Sequence, residues 1–552
     1  MLKNKNNLIL VLILLFSFMM SCKDLDDLNV NPNGVDPANA DLNFLLPTTI
    51  VSLGQSIYNI GFGTCSGIMQ HTQQTGWQSG YNNYDWNNTS HSWDGYYTIL
   101  MNNDEYYRKA VEGGYEFHEG VARILRAYLF GLITDLWGDA PYKDALKAEQ
   151  GSAYFKPVFD LQKDIYLGIL ADLDTANTLL SKNVASYGNI DSKQDVLYNG
   201  DPGKWRKFAN SLALRYYMRL QAKEAAIAQQ GISKIAGDPA TYPLITVAAD
   251  DAAFGFIGTA NENSNRLNTV YDTDPAGAYM RVKMAATLVN ALQKYNDPRL
   301  AVWANKIEIP LVLVPGTGID RIVNGKREVS QDKVSDFETT NSMTVDFDPE
   351  YAGVPISHSR VQIFNMNNAN PAQGTKNPYA SHLNDRYKLT ADPLVKMRLM
   401  SAAEVNLILA EAASRGWITG AGAAAYYAAG VRESFNAWGV GGQFDAYIAR
   451  APYNGLESII EQKWMASWTA AQEAWFDWRR TALPVLTTGP SAVRPVLPLR
   501  WYYHADDEIA KNKVNADAAI ARLEATSYLG TDQSNNSAWS KMWVLQGTGK
   551  PY

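Results

Sequence analysis

A regular pattern of apolar positions runs through VARILRAYLFGLITDLWGDAPY, which begins at Val121. Apolar side chains recur there at spacings of three and four residues, as they do along one face of an α-helix. The positions are Val121, Ile124, Leu125, Tyr128, Leu129, Leu132, Ile133 and Leu136. Gly138 and Pro141 follow, and both residue types are typical of helix ends. The stretch therefore predicts one amphipathic helix that ends near Gly138.

The same pattern recurs along much of the chain. FDLQKDIYLGILADLDTANTLL and DPGKWRKFANSLALRYYMRLQ each carry one apolar stripe. Further helices are predicted near Met280–Lys294, Ala402–Ser414, Ala423–Ala437 and Leu456–Arg480. Their pairing favours hairpins stacked like tetratricopeptide repeats, although the full repeat signature is absent, and a generic helical bundle is the alternative.

Long polar segments separate these helices. The largest is Leu311–Pro393, which contains GTGIDRIVNGKREVSQDK and FNMNNANPAQGTKNPYASHLNDRY. A loop of that length is unusual in a compact domain and is often functional. No linker clearly divides the chain. We therefore expect a mainly α fold: tetratricopeptide-like helical hairpins with large irregular loop insertions, in a single domain.

The N-terminus has the pattern of an export signal. Lys3 and Lys5 precede an apolar block from Leu8 to Phe16, which is shorter than the about 20 residues that a membrane-spanning helix needs. Cys22 directly follows the expected cleavage point, as in bacterial lipoproteins, whose cysteine thiol is acylated. An ordinary secreted thiol, or a disulfide to Cys65, is the alternative.

We accordingly divide the chain into three parts. Residues 1–21 are predicted to be a lipoprotein signal peptide. Residues 22–45 are predicted to be a lipid-anchored tether and N-terminal segment. Residues 46–552 are predicted to form the helical domain, with 311–393 as its long polar insertion.

Composition narrows the classes of partner. The formal net charge is −7, so nucleic acid is not expected as a partner. Only two cysteines occur, and an acylated Cys22 would leave Cys65 as a small core residue without a disulfide. The 15 Trp and 31 Tyr suit core packing, interfaces and sugar binding alike.

Several stretches, taken together and in order, resemble the SusD/RagB family. They are LNVNPNG, ILRAYLFGLITDLWGDAPY, DIYLGILADLDTA, YNGDPGKWRKFANSLALR, NDPRL, YAGVP, AEVNLILAEAASRGW, EAWFDWRRTALPVL and PLRWYYHADDEIAKN. Members of this family are surface lipoproteins that partner TonB-dependent transporters. The stretches extend over almost the whole mature chain, behind a lipoprotein-type signal.

The resemblance implies a function as well as a fold. Tetratricopeptide-like units would dock a SusC-like TonB-dependent transporter, and a more irregular part would carry the ligand site. The protein would act as a lid that captures an oligosaccharide, or in some branches a peptide, for import. The Lys- and Asp-rich run that begins at Lys23 resembles an address for the extracellular face of the outer membrane.

The best candidate for ligand contact is the aromatic stretch from Gln70 to Asp104. Flat aromatic rings can stack on pyranose faces, and the many Asn and Gln side chains there both donate and accept hydrogen bonds. Large aromatic side chains are also commonly buried, so packing under the loop or against the transporter is the alternative. The predicted ligand-binding residues are Trp77, Tyr81, Tyr84, Trp86 and Trp93.

A second wall of the site could come from the polar insertion. A solvated or transporter-facing loop is the favoured interpretation there. The candidates are Tyr351, Arg360, Phe364, Asn365, Asn367 and Tyr379.

The charged stretch EAWFDWRRT is better explained by structure than by chemistry. Glu473, Asp477, Arg479 and Arg480 could be drawn as a catalytic or anion-binding cluster. They fall at the end of a predicted long helix, where Arg complements the helix dipole and Asp can pair with it. We expect a structural role.

No motif in the sequence indicates catalysis. There is no Gly-x-Ser-x-Gly, phosphate loop or CxxC, and the six histidines are scattered. We therefore expect no enzyme activity, no cofactor and no metal. Two alternatives stay open: a cell-surface glycan hydrolase, and a helical-repeat adaptor that binds no small ligand.

Overall fold

The computed structural model describes residues 41–74, 79–86, 91–275, 277–358, 377–532 and 534–552. This part of the chain is mainly helical and carries only small sheets, which confirms the predicted fold class. None of its helices is both long enough and apolar enough to cross a membrane.

The α-helices follow one another along the whole described chain. They are α1 (Leu42–Asn59), α2 (Cys65–Ile68), α3 (Ser79–Asn82), α4 (Asp94–Glu112), α5 (Glu116–Trp137), α6 (Gln162–Leu179), α7 (Pro202–Arg219), α8 (Ala225–Gly237), α9 (Ala278–Arg281), α10 (Ala286–Lys294), α11 (Arg299–Trp303), α12 (Gln331–Asn341), α13 (Ala402–Ser414), α14 (Ala423–Ala437), α15 (Phe444–Ile448), α16 (Gly455–Ala466), α17 (Ala471–Thr481) and α18 (Lys513–Ala521). The strands are β1 (Thr72–Gln74), β2 (Ala140–Pro141), β3 (Phe159–Asp160), β4 (Ala252–Gly255), β5 (Val282–Met284), β6 (Leu311–Val314), β7 (Asp320–Val323), β8 (Lys326–Ser330) and β9 (Lys396–Met400).

Consecutive helices pack on one another, as expected for stacked hairpins. In the N-terminal half, α1 packs on α4, α4 on α5, α5 on α6, α6 on α7 and α7 on α8. In the C-terminal half, α13 packs on α14 and on α16, and α16 packs on α17. Helix α7 also contacts α13 and α17, so it joins the two halves.

Helix α5 shows how the local sequence sets this packing. It ends at Trp137 because Gly138 adopts φ +96°, in the region that favours glycine. Gly131, in the middle of α5, faces Tyr216 of α7, and a Cβ at this position would collide with the tyrosine ring and hydroxyl. The small residue therefore allows the close approach of α5 and α7.

The helix predicted over Met280–Lys294 is interrupted by a strand. Residues Val282–Met284 form β5, which pairs antiparallel with β1, and Thr72 lies opposite Met284. Helix α10 starts only at Ala286. This pairing joins residues more than 200 positions apart, and such long-range pairing overrides a weak local helix preference.

The helix predicted over Leu456–Arg480 is two helices. Helix α16 ends at Ala466 and α17 begins at Ala471. Between them, Thr469 adopts φ +71°, which no helix interior allows. The nearby Trp468 indole N–H donates to the Tyr387 hydroxyl at 2.6 Å, so a tertiary contact fixes the break.

Part of the polar segment 311–393 is regular. Strands β6, β8 and β7 form a sheet in that order, with β6 parallel and β7 antiparallel to β8. Asn324 and Gly325 make the tight turn between β7 and β8 with φ of 49° and 74°. An Asn-Gly pair is a strong hairpin signal, so this turn is predictable from the sequence.

A network of buried charges holds the two halves together. It contains five cations and five carboxylates, and each of these side chains is at most 10% exposed. The cations are Arg215, Arg219, Lys463, Arg479 and Arg480, and the carboxylates are Asp135, Glu404, Glu411, Glu473 and Asp477. Helices α5, α7, α13, α16 and α17 contribute them. These ion pairs agree with the structural role expected for EAWFDWRRT.

Interactions with the cations decide the protonation of most of these carboxylates. Burial raises the pKa of a carboxyl group, but the paired Arg480 lowers the pKa of Glu411 below its ordinary value. Burial also raises the pKa of Glu404, but the paired Arg215 lowers it below its ordinary value. Glu473 differs, because there the effect of burial prevails and its pKa is raised.

Candidate functional site

Of the predicted ligand-binding residues, the structure places the four described ones, Tyr81, Tyr84, Trp86 and Trp93, in the interior. Tyr84 and Trp86 have no exposed surface, and Tyr81 and Trp93 are each 7% exposed. Trp77 and the predicted lipid-attachment residue Cys22 lie outside the described residues. In this structure, a ligand that approached from solvent would meet neither the Tyr84 ring nor the Trp86 ring.

The C-terminal part of the chain supplies the rings that cover Trp86. The Trp86 indole N–H donates to the backbone oxygen of Gly80 at 3.0 Å. Its ring lies edge-on to Trp475, with 5.2 Å between the centroids. His91 stacks on Trp501 at 4.0 Å, and burial lowers the pKa of His91 to about 4. This stretch therefore contributes to a buried aromatic cluster.

Trp93 continues the same aromatic cluster. Its ring centroid lies 5.8 Å from that of Trp137, 5.1 Å from that of Phe159 and 5.9 Å from that of Tyr503. The contacts with Phe159 and Tyr503 are edge-to-face, a geometry that stabilises a core beyond the burial of area alone. The sequence left packing only as the alternative to ligand contact, because these partners lie far along the chain.

The second candidate wall is only partly described. Tyr351 is half-buried, and its backbone oxygen accepts a hydrogen bond from Gln293 at 3.1 Å. Tyr379 is 1% exposed, and the Arg327 guanidinium lies 4.9 Å from its ring centroid. Arg360, Phe364, Asn365 and Asn367 lie outside the described residues. Tyr379 therefore faces protein rather than an open site, whereas Tyr351 keeps part of its surface exposed.

Two tryptophans in the described part of the chain, Trp417 and Trp543, are only half-buried. Trp543 lines a cavity of about 290 Å³, which is bounded by α18, the start of α6 and the C-terminal segment. Leu161, which is 45% exposed, also lines this cavity. We call this cavity the Trp543 groove. Its volume is near the lower end of the about 300–1,000 Å³ typical of small-ligand sites.

Buried hydrogen bonds hold the C-terminal segment beside the Trp543 groove. The Gln162 side chain accepts from the Val544 backbone N–H at 2.9 Å and donates to the Thr134 backbone oxygen at 2.8 Å. The Gln162 backbone N–H donates to the Asp139 carboxylate at 2.8 Å. The C-terminal segment that carries Trp543 is thereby attached to α5 and α6.

Charged pairs surround the opening of the groove. Arg522 donates to the Asp139 carboxylate at 2.6 Å, and Lys163 pairs with Glu224 at 2.5 Å. Burial raises the pKa of Asp139, although its bonds to Gln162 and Arg522 oppose the shift. The side chains of Arg522 and Lys163 are 40% and 42% exposed, so both can donate to a ligand.

No cluster of three or more His, Cys, Asp or Glu side chains suited to a metal ion occurs among the described residues. Cys65 is a buried free thiol, and burial raises its pKa. The groove offers an indole ring, an amide and paired charges, an arrangement suited to ligand binding.

The sequence and the fold were compared with known proteins. Residues 35–504 match the SusD-like family described as starch-binding and associating with the outer membrane. Among proteins of curated function, none matches the sequence.

Solved structures share this fold over nearly their whole length. A chitin-binding protein is 25% identical with a TM-score of 0.69, covering 91% of this chain and 99% of its own. A SusD homologue from Bacteroides fragilis NCTC 9343 is 21% identical with a TM-score of 0.68, covering 92% of this chain and 100% of its own. A chitin-binding SusD homologue from Flavobacterium johnsoniae is 21% identical with a TM-score of 0.65, covering 90% of this chain and 99% of its own.

The family match spans most of the chain and agrees with the resemblance seen in the sequence. The helical-hairpin fold is also that of solved SusD homologues. The chain therefore belongs to the SusD-like family of outer-membrane-associated nutrient-binding proteins.

Proposed function

We propose that this protein is a cell-surface lipoprotein that binds an oligosaccharide and delivers it, as a lid, to a SusC-like TonB-dependent transporter. The family match over residues 35–504 is the observation that carries the proposal, since that family is described as starch-binding. The similar chitin-binding protein supports a saccharide ligand over a peptide. Binding occurs without catalysis.

The anchor is Cys22. Each buried methylene of an acyl chain contributes about 0.8 kcal/mol, and stable anchoring takes more than one chain. Replacement of the cysteine by Cys22→Ser should release the protein from the membrane fraction. Cys65→Ser is the matched control, because Cys65 is a buried free thiol inside the fold and should not affect anchoring. Retention of Cys22→Ser in the membrane would contradict the anchor.

Ligand class is tested by isothermal titration calorimetry on the chain from Lys23 onward, which keeps every described residue. The probes are maltohexaose, chitohexaose and a mixture of tryptic peptides. Saturable binding of an oligosaccharide supports the proposal, and binding of peptides alone overturns the saccharide class. Shortened oligosaccharide in the recovered sample would identify a hydrolase. Binding of no probe, with a stable transporter complex, would identify an adaptor.

In the stretch from Gln70 to Asp104, we propose that Trp77 makes the main ligand contact, with Tyr81 and Trp93 contributing at most an edge. Trp77→Ala should then weaken binding of the preferred oligosaccharide. Tyr84→Phe serves as the control, since it removes only a hydroxyl on a ring with no exposed surface. Equal affinities of Trp77→Ala and wild type would contradict this assignment.

A further inference from the structure

The Trp543 groove has the features of a ligand site and lies apart in sequence from the stretch that holds Trp77. Twelve tryptophans are buried in the described part of the chain. Trp543 instead presents part of its ring to a cavity of about 290 Å³. Exposing an indole costs hydrophobic burial, so its position at a cavity wall calls for an explanation beyond packing.

The indole is held in place before any ligand arrives. The Lys223 ammonium lies 5.6 Å from the Trp543 ring centroid and donates to the Gln546 backbone oxygen at 2.9 Å. The Gln546 amide donates in turn to the Arg522 backbone oxygen at 2.7 Å. The free-energy cost of ordering the site for a ligand that stacks on this ring would therefore be small.

Polar groups lie where they can hydrogen-bond the edge of a ring placed in the groove. Arg522 and Lys163 are both lining residues, and both are partly exposed. Each is already paired, with Asp139 and Glu224 respectively, so these two pairs add no net charge. Donors that are already held in ion pairs, as these two are, suit hydroxyl groups better than carboxylates.

We infer that the Trp543 groove is a saccharide-binding site for a neutral hexopyranose, with the sugar face on Trp543 and its hydroxyls toward Arg522 and Lys163. This inference rests on the proposed function for its ligand class and adds a site that the aromatic stretch at Gln70–Asp104 does not include. The cavity volume fits a short saccharide or the end of a longer one.

The direct test labels the chain from Lys23 with 5-fluorotryptophan and records ¹⁹F spectra. The Trp543 and Trp417 resonances are assigned by their loss in Trp543→Phe and Trp417→Phe. Maltohexaose or chitohexaose should shift the Trp543 resonance and leave that of Trp417 unchanged. Trp417 is the matched control because it is also half-buried but does not line the groove. An unchanged Trp543 resonance with both saccharides overturns the inference.

Affinity gives an independent readout. Trp543→Ala should weaken binding by about tenfold or more, as for other aromatic anchors in a binding pocket. Trp417→Ala should match wild type. Equal affinity of Trp543→Ala and wild type would overturn the assignment of a saccharide site to the groove and would leave the proposed function intact. Binding of neither saccharide by wild type overturns both, and a stronger shift with oligogalacturonate than with neutral sugars overturns the neutral class.

Discussion

The buried charge network allows a sharp test at Asp477. One carboxylate oxygen accepts from Arg219 at 3.1 Å and from Arg480 at 2.8 Å, and the other lies 2.7 Å from the Lys463 ammonium. These cations lower the pKa of Asp477 well below its ordinary value, against the opposing effect of burial. Asp477→Asn keeps the shape of the side chain and removes its charge.

The asparagine cannot satisfy the site in either orientation. With its oxygen toward Arg219 and Arg480, its NH₂ group faces the Lys463 ammonium, so two donors meet. With the amide reversed, its NH₂ group faces the guanidinium groups of Arg219 and Arg480, so donors meet there instead. Two unit charges 4 Å apart attract by about 4 kcal/mol at an effective dielectric of about 20. After desolvation is counted, breaking a buried pair costs about 3–5 kcal/mol, which is our expected loss in the free energy of unfolding.

Thermal unfolding followed by circular dichroism measures this loss. With about 2.1 cal/mol/K of unfolding entropy per residue, a chain of 552 residues has roughly 1.2 kcal/mol/K, so Tm should fall by roughly 3–4 °C. Asp174→Asn is the control. Asp174 pairs with Lys234 at 2.9 Å, but both side chains are about half exposed, so the expected shift is under about 1 °C.

A second substitution tests the reasoning itself. Lys463→Met, added to Asp477→Asn, removes the cation that faces the new amide and restores the charge balance. The double variant should be less destabilised than the sum of the two single variants, by about 1 kcal/mol or more. Additive losses, or an Asp477→Asn variant as stable as Asp174→Asn, would refute the argument that unpaired buried charge is the cause.

Three further outcomes can be checked on the same protein. Burial lowers the pKa of His71 to about 3, so the stability it contributes is present above pH 6.5 and is lost as pH falls. In urea titrations, His71→Phe should reduce the slope of the unfolding free energy against pH between about pH 6 and pH 4. The reduction should be up to about 1.4 kcal/mol per pH unit, and an unchanged slope would contradict the prediction. Gly131→Ala should cost about 1–3 kcal/mol in the same titrations because its methyl collides with Tyr216, whereas Gly95→Ala, with open space around its Cβ, should be nearly neutral. A chain that starts at Lys23 should react with a thiol reagent at Cys65 only after unfolding, and rapid reaction of the native protein would disprove its burial.

The helical part of the fold could be predicted closely from the sequence. The helices expected at Ala402–Ser414 and Ala423–Ala437 have those bounds in the structure. Their apolar spacing is local, and so are the glycines that follow or precede them. The prediction of one continuous helix near Val282 was wrong. The strand β1, with which this segment pairs, lies more than 200 residues away, so no local pattern indicates the pairing.

The candidate site was much harder to predict, for a physical reason. Aromatic side chains on a polar, Gly- and Asn-rich stretch present the same local pattern whether they bind sugar or pack inside. Trp86 packs against Trp475, almost 400 residues further on, and no local pattern reports that contact. Trp543, in contrast to Trp86, lines a cavity. It follows the buried Met542 in the sequence, and only the fold shows its position at the cavity.

The burial of most tryptophans has a consequence for spectroscopy. Indoles in an apolar interior emit at shorter wavelength than indoles in water, so the native protein should have a strongly blue-shifted emission. Twelve buried rings would dominate that signal, and a sugar that touched Trp543 alone would change only a small share of it. Total emission is therefore a sensitive reporter of unfolding and a poor reporter of ligand, and a flat fluorescence titration would carry little weight against binding.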